Sequence, residues 1–305
     1  MIVYVNRKPV SGPWGGGSKI LTSIISMLKD LGAEVIFEWS NERHFDVIYC
    51  HDPRPDNTGI WYQHFLNRKL RDGIPIIQRV GDVGTHGKPA LTRLVKQTMQ
   101  YSDKVIFPSI WAKEYVECQR DNTFVIPNAP LDIFYQNRGV SKDISSPLRV
   151  VTHHWSNNPL KGFDLYRKLA SYCSKVTSKI EFSFVGRFDA NPPGVGINIL
   201  EPMDKESLSG FLPRHDIYLT ASLEEAGANH VLEAMASGVP VLYSAGGGSI
   251  TEYCCQHGLE YSGYDDLVQK IYVMSNNYAT YKDATLGFNR TISDVMHSYR
   301  EIFLL

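Results

Sequence analysis

Apolar residues occur along this chain in short runs separated by stretches of helical period. Residues 2–5, 35–37 and 46–50 are brief, rich in β-branched side chains and flanked by polar or turn-forming residues, as buried strands are. Between the first two, Ile20, Leu21, Ile24, Ile25 and Leu28 recur at helical spacing as far as a capping Gly32. The alternation continues with helices near 61–71, 90–101 and 109–118 and strands at 74–78, 104–107 and 123–126. From 127 to 147 the rhythm breaks into polar, turn-rich sequence, which predicts a domain junction. It resumes with strands at 148–152, 180–185, 197–200, 217–220 and 239–244, and helices at 162–174, 205–212 and about 228–237. A final amphipathic helix, 291–303, is expected to pack back on the first domain. The pattern predicts an α/β architecture: two Rossmann-like, doubly wound parallel-sheet domains, 1–145 and 146–285, facing across a cleft, with 286–305 as the returning segment. At 305 residues the chain has room for two such cores.

Composition alters this picture by exclusion. With a net charge of −1 there is no basic excess to neutralise a phosphate backbone, so nucleic acid is not an expected partner. No apolar run reaches the roughly 20 residues that cross a bilayer, so membrane contact is expected to be peripheral at most. Cys50, Cys118, Cys173, Cys254 and Cys255 have neither disulfide-framework nor Cys-x-x-Cys spacing, and the first residues carry no signal-peptide core. Together these predict a reducing, cytoplasmic setting. There is no Asp-x-Asp pair and no cluster with metal-ligand spacing, so neither a metal nor another resident cofactor is expected.

Candidate chemistry concentrates in residues 215–249, a strand, helix, strand and glycine turn. Glu225 precedes the helix and Glu233 lies on it. Gly227, Ala228 and Asn229 place small residues where the helix opens, with N–H groups and a positive dipole end suited to phosphate. Carboxylates on either side suit hydroxyls attached to both ends of that phosphate, and a nucleotide sugar is such a ligand. Lys161 at a helix start and Arg187 just past a strand are cations able to clamp a diphosphate. In the first domain, the stretch from Gly12 to Lys19 misses a P-loop because Ser18 and Lys19 are transposed. It is either a plain turn or a loop that brings bare backbone, around Gly16 and Gly17, close to a ligand. One or other of Asp82 and His86, on a glycine-rich loop, is expected to face the sugar; His51, His153 and His154 fall in further cleft loops.

The segment from Glu225 to Glu233 and on to Val241, EAGANHVLEAMASGVPV, resembles the E-G-F-G-L-x-x-L-E-A-M-A-x-G-x-P-V signature of family 4 glycosyltransferases, the glycosyl transferases group 1. Lys161-Gly162, the VIPN run ending at Asn128 and the glycines Gly246 to Gly248 resemble further family segments, and Gly16 and Gly17 stand where the family has its N-terminal glycine loop. The resemblance implies the GT-B fold. It also implies metal-independent transfer of a sugar, with retention of configuration, from a nucleotide-diphosphate sugar to a glycan, lipid-linked or small-molecule acceptor. By the same resemblance Glu225 meets the sugar hydroxyls, Glu233 the ribose hydroxyls and Lys161 the diphosphate. The chain departs from the family at three places. Ser156 stands where an arginine is frequent, with Arg187 as a candidate replacement; Ala226-Gly227-Ala228 replaces Gly-Phe-Gly; and Gly81 holds the place of the first-domain histidine, with Asp82 beside it. Two rival readings are another enzyme of the same fold, an epimerase or a phosphorylase, and a catalytically silent nucleotide-sugar-binding protein.

Overall fold

The computed structural model describes residues 1–10 and 16–304. They form two compact units, Met1–Asn128 joined by the stretch from Ile292 onward, and Ala129–Thr291. The first unit runs β1 (Ile2–Val5), α1 (Gly16–Asp30), β2 (Glu34–Ile36), β3 (Val47–Cys50), α2 (Tyr62–Asp72), β4 (Ile76–Arg79), α3 (Pro89–Thr98), β5 (Lys104–Phe107), α4 (Ile110–Tyr115) and β6 (Thr123–Val125). The second runs α5 (Asp132–Gln136), β7 (Leu148–His154), α6 (Phe163–Lys175), β8 (Ile180–Gly186), β9 (Asn198–Leu200), α7 (Lys205–Phe211), β10 (Ile217–Thr220), α8 (Asn229–Ala236), β11 (Val241–Ser244), α9 (Ser249–Cys254), β12 (Gly258–Tyr261), α10 (Gly263–Asn276) and α11 (Tyr278–Leu286). The chain then returns to the first unit as α12 (Ile292–Leu304).

Among the described residues each unit holds one six-stranded sheet, ordered β2-β1-β3-β4-β5-β6 and β12-β11-β10-β7-β8-β9, with parallel ladders throughout. The central strands β3, β4 and β10 are buried at every residue, which is why they read as apolar runs rather than alternations. In each sheet the strand order reverses once, between β1 and β3 in the first and between β7 and β10 in the second. A crevice opens at such a switch point, beyond the C-terminal strand ends, because the flanking loops run to opposite sides.

The units divide at 128/129, at the start of the 127–147 stretch expected as the junction and ahead of the expected 145/146 boundary. Leu131, Phe134 and Tyr135 have the spacing of one helical turn, and they pack into the second unit's core with Val231 and Met235. Helix α1 starts at Gly16, earlier than its apolar spacing suggested, and β7 runs on through His153 and His154. Residues 249–286 add four elements beyond the expected ones.

Helix α8 is buried along almost its whole length, so its terminal carbonyls need partners inside the protein. Arg138 supplies them. Its guanidinium donates to the main-chain oxygens of Met235 at 3.3 Å and Ala236 at 3.1 Å, the last residues of α8, and of Thr285, Leu286 and Phe288 at 3.1, 3.0 and 2.8 Å, at and just past the end of α11. The buried Lys282 ammonium donates to Gly238 O, and burial pushes its pKa down to about 8. Two cations thus close the negative end of the helix. Replacing Arg138 with methionine should lower the unfolding free energy of the second unit by about 3 kcal/mol, since several charge-assisted bonds go and their carbonyls stay buried. Urea unfolding measures this, and an unchanged midpoint would contradict the assignment.

Candidate functional site

The loops after β7 and β10 meet at the second unit's switch point, and the glycine turn after β11 joins them. Lys161 ends a 3-10 turn, Pro159–Lys161, that closes on Gly162 at φ +81°. A Cβ at Gly162 would come within 2.4 Å of the Ala221 Cβ, so only glycine lets this turn press on the end of β10. Backbone bonds then stitch the loops together. Leu223 N–H donates to Leu160 O at 2.9 Å, Glu224 N–H to Gly246 O at 3.0 Å, Glu225 N–H to Gly247 O at 3.2 Å, and Ser249 N–H to Glu225 O at 2.8 Å. Glu224 is held at φ +53°, an unfavourable conformation for a residue with a side chain, at the tightest point of this weave. The outcome is that Lys161 and Glu225, far apart in sequence, form an ion pair with both side chains largely buried.

Beside that pair lies the start of α8. Its N-cap is Ala228, which has no side-chain acceptor, so the first turn carries no side-chain cap and presents its N–H groups and positive end to an anion. The Ala228 N–H itself donates to Ser249 Oγ at 3.0 Å. Ala228 is buried and Gly227 half-buried, and the Asn229 side-chain oxygen is buried without a hydrogen-bond partner among the described residues. Glu233 lies one turn further on and deeper than a surface ribose ligand would, only 2% exposed, with its carboxylate 3.0 Å from His153 Nε2. Arg187 is exposed; its N–H donates to His154 O at 3.1 Å, and its side chain makes no ion pair among the described residues. Ser156 is exposed and accepts from Asn158 N–H within its own turn.

His153 and His154 close β7 and are buried, instead of lying in a loop. His154 Nε2 meets Tyr166 OH at 2.6 Å, and His230, on the first turn of α8, meets Thr220 Oγ1 at 3.1 Å. Burial drives the His154 pKa well below its usual value and that of His230 to about 3, and the Lys161 charge acts in the same direction on both. Neither His230 nor Ser249 carries a signal in the sequence beyond its place beside the helix start and the glycine turn.

In the first unit, the part of the glycine loop from Gly12 to Gly15 lies outside the described residues. Gly16 and Gly17 belong to the opening turn of α1, and a side chain at Gly17 would meet His51 Nε2 at an ordinary 3.7 Å. The protein's own packing therefore leaves room for a side chain at Gly17. His51 follows β3, and burial drives its pKa to about 3. Asp82 is engaged within its own loop, 2.5 Å from Lys88 Nζ and 3.0 Å from Gly84 N–H, and His86 turns that loop at φ +61°. Gly81 has a physical reason. An added Cβ would fall 1.9 Å from Arg79 Nη1, and that guanidinium is buried and pinned to Tyr299 OH at 3.0 Å and Asn128 Oδ1 at 2.9 Å. A histidine at this position would collide with it. Among the described residues no three His, Cys, Asp or Glu side chains are grouped to hold a metal ion, and no helix is long and apolar enough to cross a membrane.

No protein-family model and no curated protein sequence matches the chain. Solved structures do. HepE of Anabaena, in complex with UDP-glucose, matches with a TM-score of 0.72 at 15% identity over 99% of both chains. WaaG, a glycosyltransferase involved in lipopolysaccharide biosynthesis, matches at 0.68 with 16% identity over 99% of both chains. Sucrose-phosphate synthase from Thermosynechococcus elongatus matches at 0.67 with 15% identity, again over 99% of both. At these identities the likeness establishes the fold: the chain has the two-domain, Rossmann-like α/β architecture of GT-B.

The buried histidines give the fold a pH dependence. His230 and His154 stay neutral when folded but take up a proton near pH 6.5 when unfolded, so below that pH the unfolded chain binds more protons. Stability should therefore fall on acidification below about pH 6.5, by up to about 1.4 kcal/mol per pH unit for each histidine. Urea unfolding of the protein and of His230→Gln between pH 6.5 and 5 tests this. The variant's slope should be shallower, and an equal slope would remove His230 from the explanation.

Proposed function

We propose that the protein moves a sugar from a nucleotide-diphosphate sugar to an acceptor hydroxyl, with retention of configuration and with cationic side chains rather than a metal neutralising the diphosphate. The observation that carries this reading is the Lys161–Glu225 pair beside the uncapped start of α8, at the switch point of a Rossmann-like sheet. A donor would exchange that pair for two better-matched contacts, phosphate oxygens for Lys161 and sugar hydroxyls for Glu225. As the glycosidic bond breaks, negative charge grows on the β-phosphate oxygen, where Lys161 and the N–H groups of the first turn of α8 would stabilise it. Arg187, exposed on the neighbouring strand end, would add a second cation once a diphosphate is present. The leaving phosphate would itself take the acceptor proton on the same face of the sugar, so no protein nucleophile is required. Asp82 or His86 would serve the reacting sugar from the first unit, Asp82 by releasing Lys88. The fold shared with HepE, solved with UDP-glucose, and with the glycosyltransferase WaaG supports this donor class.

Release of nucleoside diphosphate from UDP-, ADP- and GDP-sugars across an acceptor panel tests the proposal. Lys161→Met and Glu225→Gln should each lower the rate by about 100-fold or more while melting close to the parent protein. Near-parental rates in both variants would overturn the reading, and donor binding without release on any acceptor would favour a silent binding protein. Chelation with EDTA should leave the rate unchanged; its loss would return the diphosphate to a metal.

A further inference from the structure

Folding stability does not explain the pairing of His153 with Glu233. Both side chains are all but fully buried, His153 Nε2 lies 3.0 Å from Glu233 Oε2, and His153 Nδ1 is buried with no hydrogen-bond partner among the described residues. A carboxylate only accepts, so Nε2 carries the proton that faces it and the second ring nitrogen is left desolvated. A buried charge and a half-satisfied ring are less favourable than an apolar pair of the same volume. The pair has to be understood by what it orients.

Glu233 stands four residues after Asn229, on the same face of α8, and side chains on a helix lean toward its N-terminus. The carboxylate therefore inclines toward the uncapped first turn. His153 reaches it from the end of β7, one of the two strands at the switch point. The histidine ring is wedged: it stands edge-on to Tyr218 at 5.4 Å, to His230 at 6.2 Å and to Trp155 at 6.4 Å, while the main-chain N–H of His153 donates to Tyr218 OH at 3.3 Å. A ring held on these sides cannot turn away from the carboxylate.

We infer that His153 is a positioning residue: it holds the Glu233 carboxylate in the orientation that receives the ribose hydroxyls of a bound nucleoside diphosphate, and thereby sets a preference for ribose over deoxyribose. This rests on the donor reading above and extends it to a residue in contact with Glu233 rather than with the ligand. Because the carboxylate lies below the surface, only hydroxyls of a ligand seated on the first turn of α8 reach it.

Calorimetric titration tests the inference. Uridine, adenosine and guanosine diphosphates are compared on the full chain, and the tightest is carried forward with its 2′-deoxy analogue. The parent protein should prefer the ribonucleotide by about tenfold, the worth of one hydrogen bond to a charged group. His153→Asn is polar, but its amide stops short of Glu233, so the preference should fall toward one while the 2′-deoxy ligand binds as before. His153→Gln places an amide N–H near the position of Nε2 and should keep most of the preference. An unchanged ratio in His153→Asn, or equal weakening of both ligands, overturns the inference and leaves the donor reading standing. If the parent protein binds no nucleoside diphosphate, the donor reading falls and the inference falls with it.

Discussion

A buried helix must satisfy its end groups from inside the protein, and α8 meets that requirement asymmetrically. Arg138 and Lys282 close its carbonyl end with cations brought from distant parts of the second unit. Its N–H end is given an alanine cap that accepts nothing. One end is therefore anchored and the other left able to receive an anion. The placement of Lys161, Glu225, His230 and Glu233 around that open end depends on the helix being fixed by the other. The buried aliphatic and aromatic residues of the second unit's core, Val231, Met235, Phe134 and Tyr218 among them, supply the mass against which it is fixed.

The loops at the open end are held mainly by backbone bonds rather than by their side chains. Leu160 binds Leu223, and Gly246 and Gly247 bind Glu224 and Glu225, so the spacing between lysine and glutamate is set by main-chain geometry. The lysine and glutamate side chains pair with each other across that spacing. The first unit also pairs its charges. Its charged groups near the strand ends, Asp52 with Arg54 and Asp82 with Lys88, are tied to one another, and Arg79 fills the space beneath Gly81.

Much of the architecture could be read from the chain because strands of a parallel sheet are buried on both faces and appear as uninterrupted apolar runs. Helix α8 could be read to within a residue at each end because small residues mark its opening. Three things were out of reach for identifiable reasons. Arg138 acts on carbonyls about 100 and 150 positions away, as in its bonds to Met235 and Phe288, and a carbonyl has no residue type to betray it. His153 and His154 read as loop because nothing local extends β7 that far; the pairing of His153 with Val185 and of His154 with Gly186 does. Gly81 read as a lost histidine, whereas the obstacle is Arg79, held in place by Tyr299 from far along the chain.

That last contact belongs to α12, whose residues Tyr299 and Ile302 are buried within the first unit and whose Ile302 carbonyl takes the Lys104 ammonium at 2.7 Å. The second unit is one uninterrupted stretch of chain, while the first is completed only by residues translated after it. On a ribosome, Arg79 and the α1 face therefore wait for partners that emerge only when synthesis has passed beyond the whole second unit.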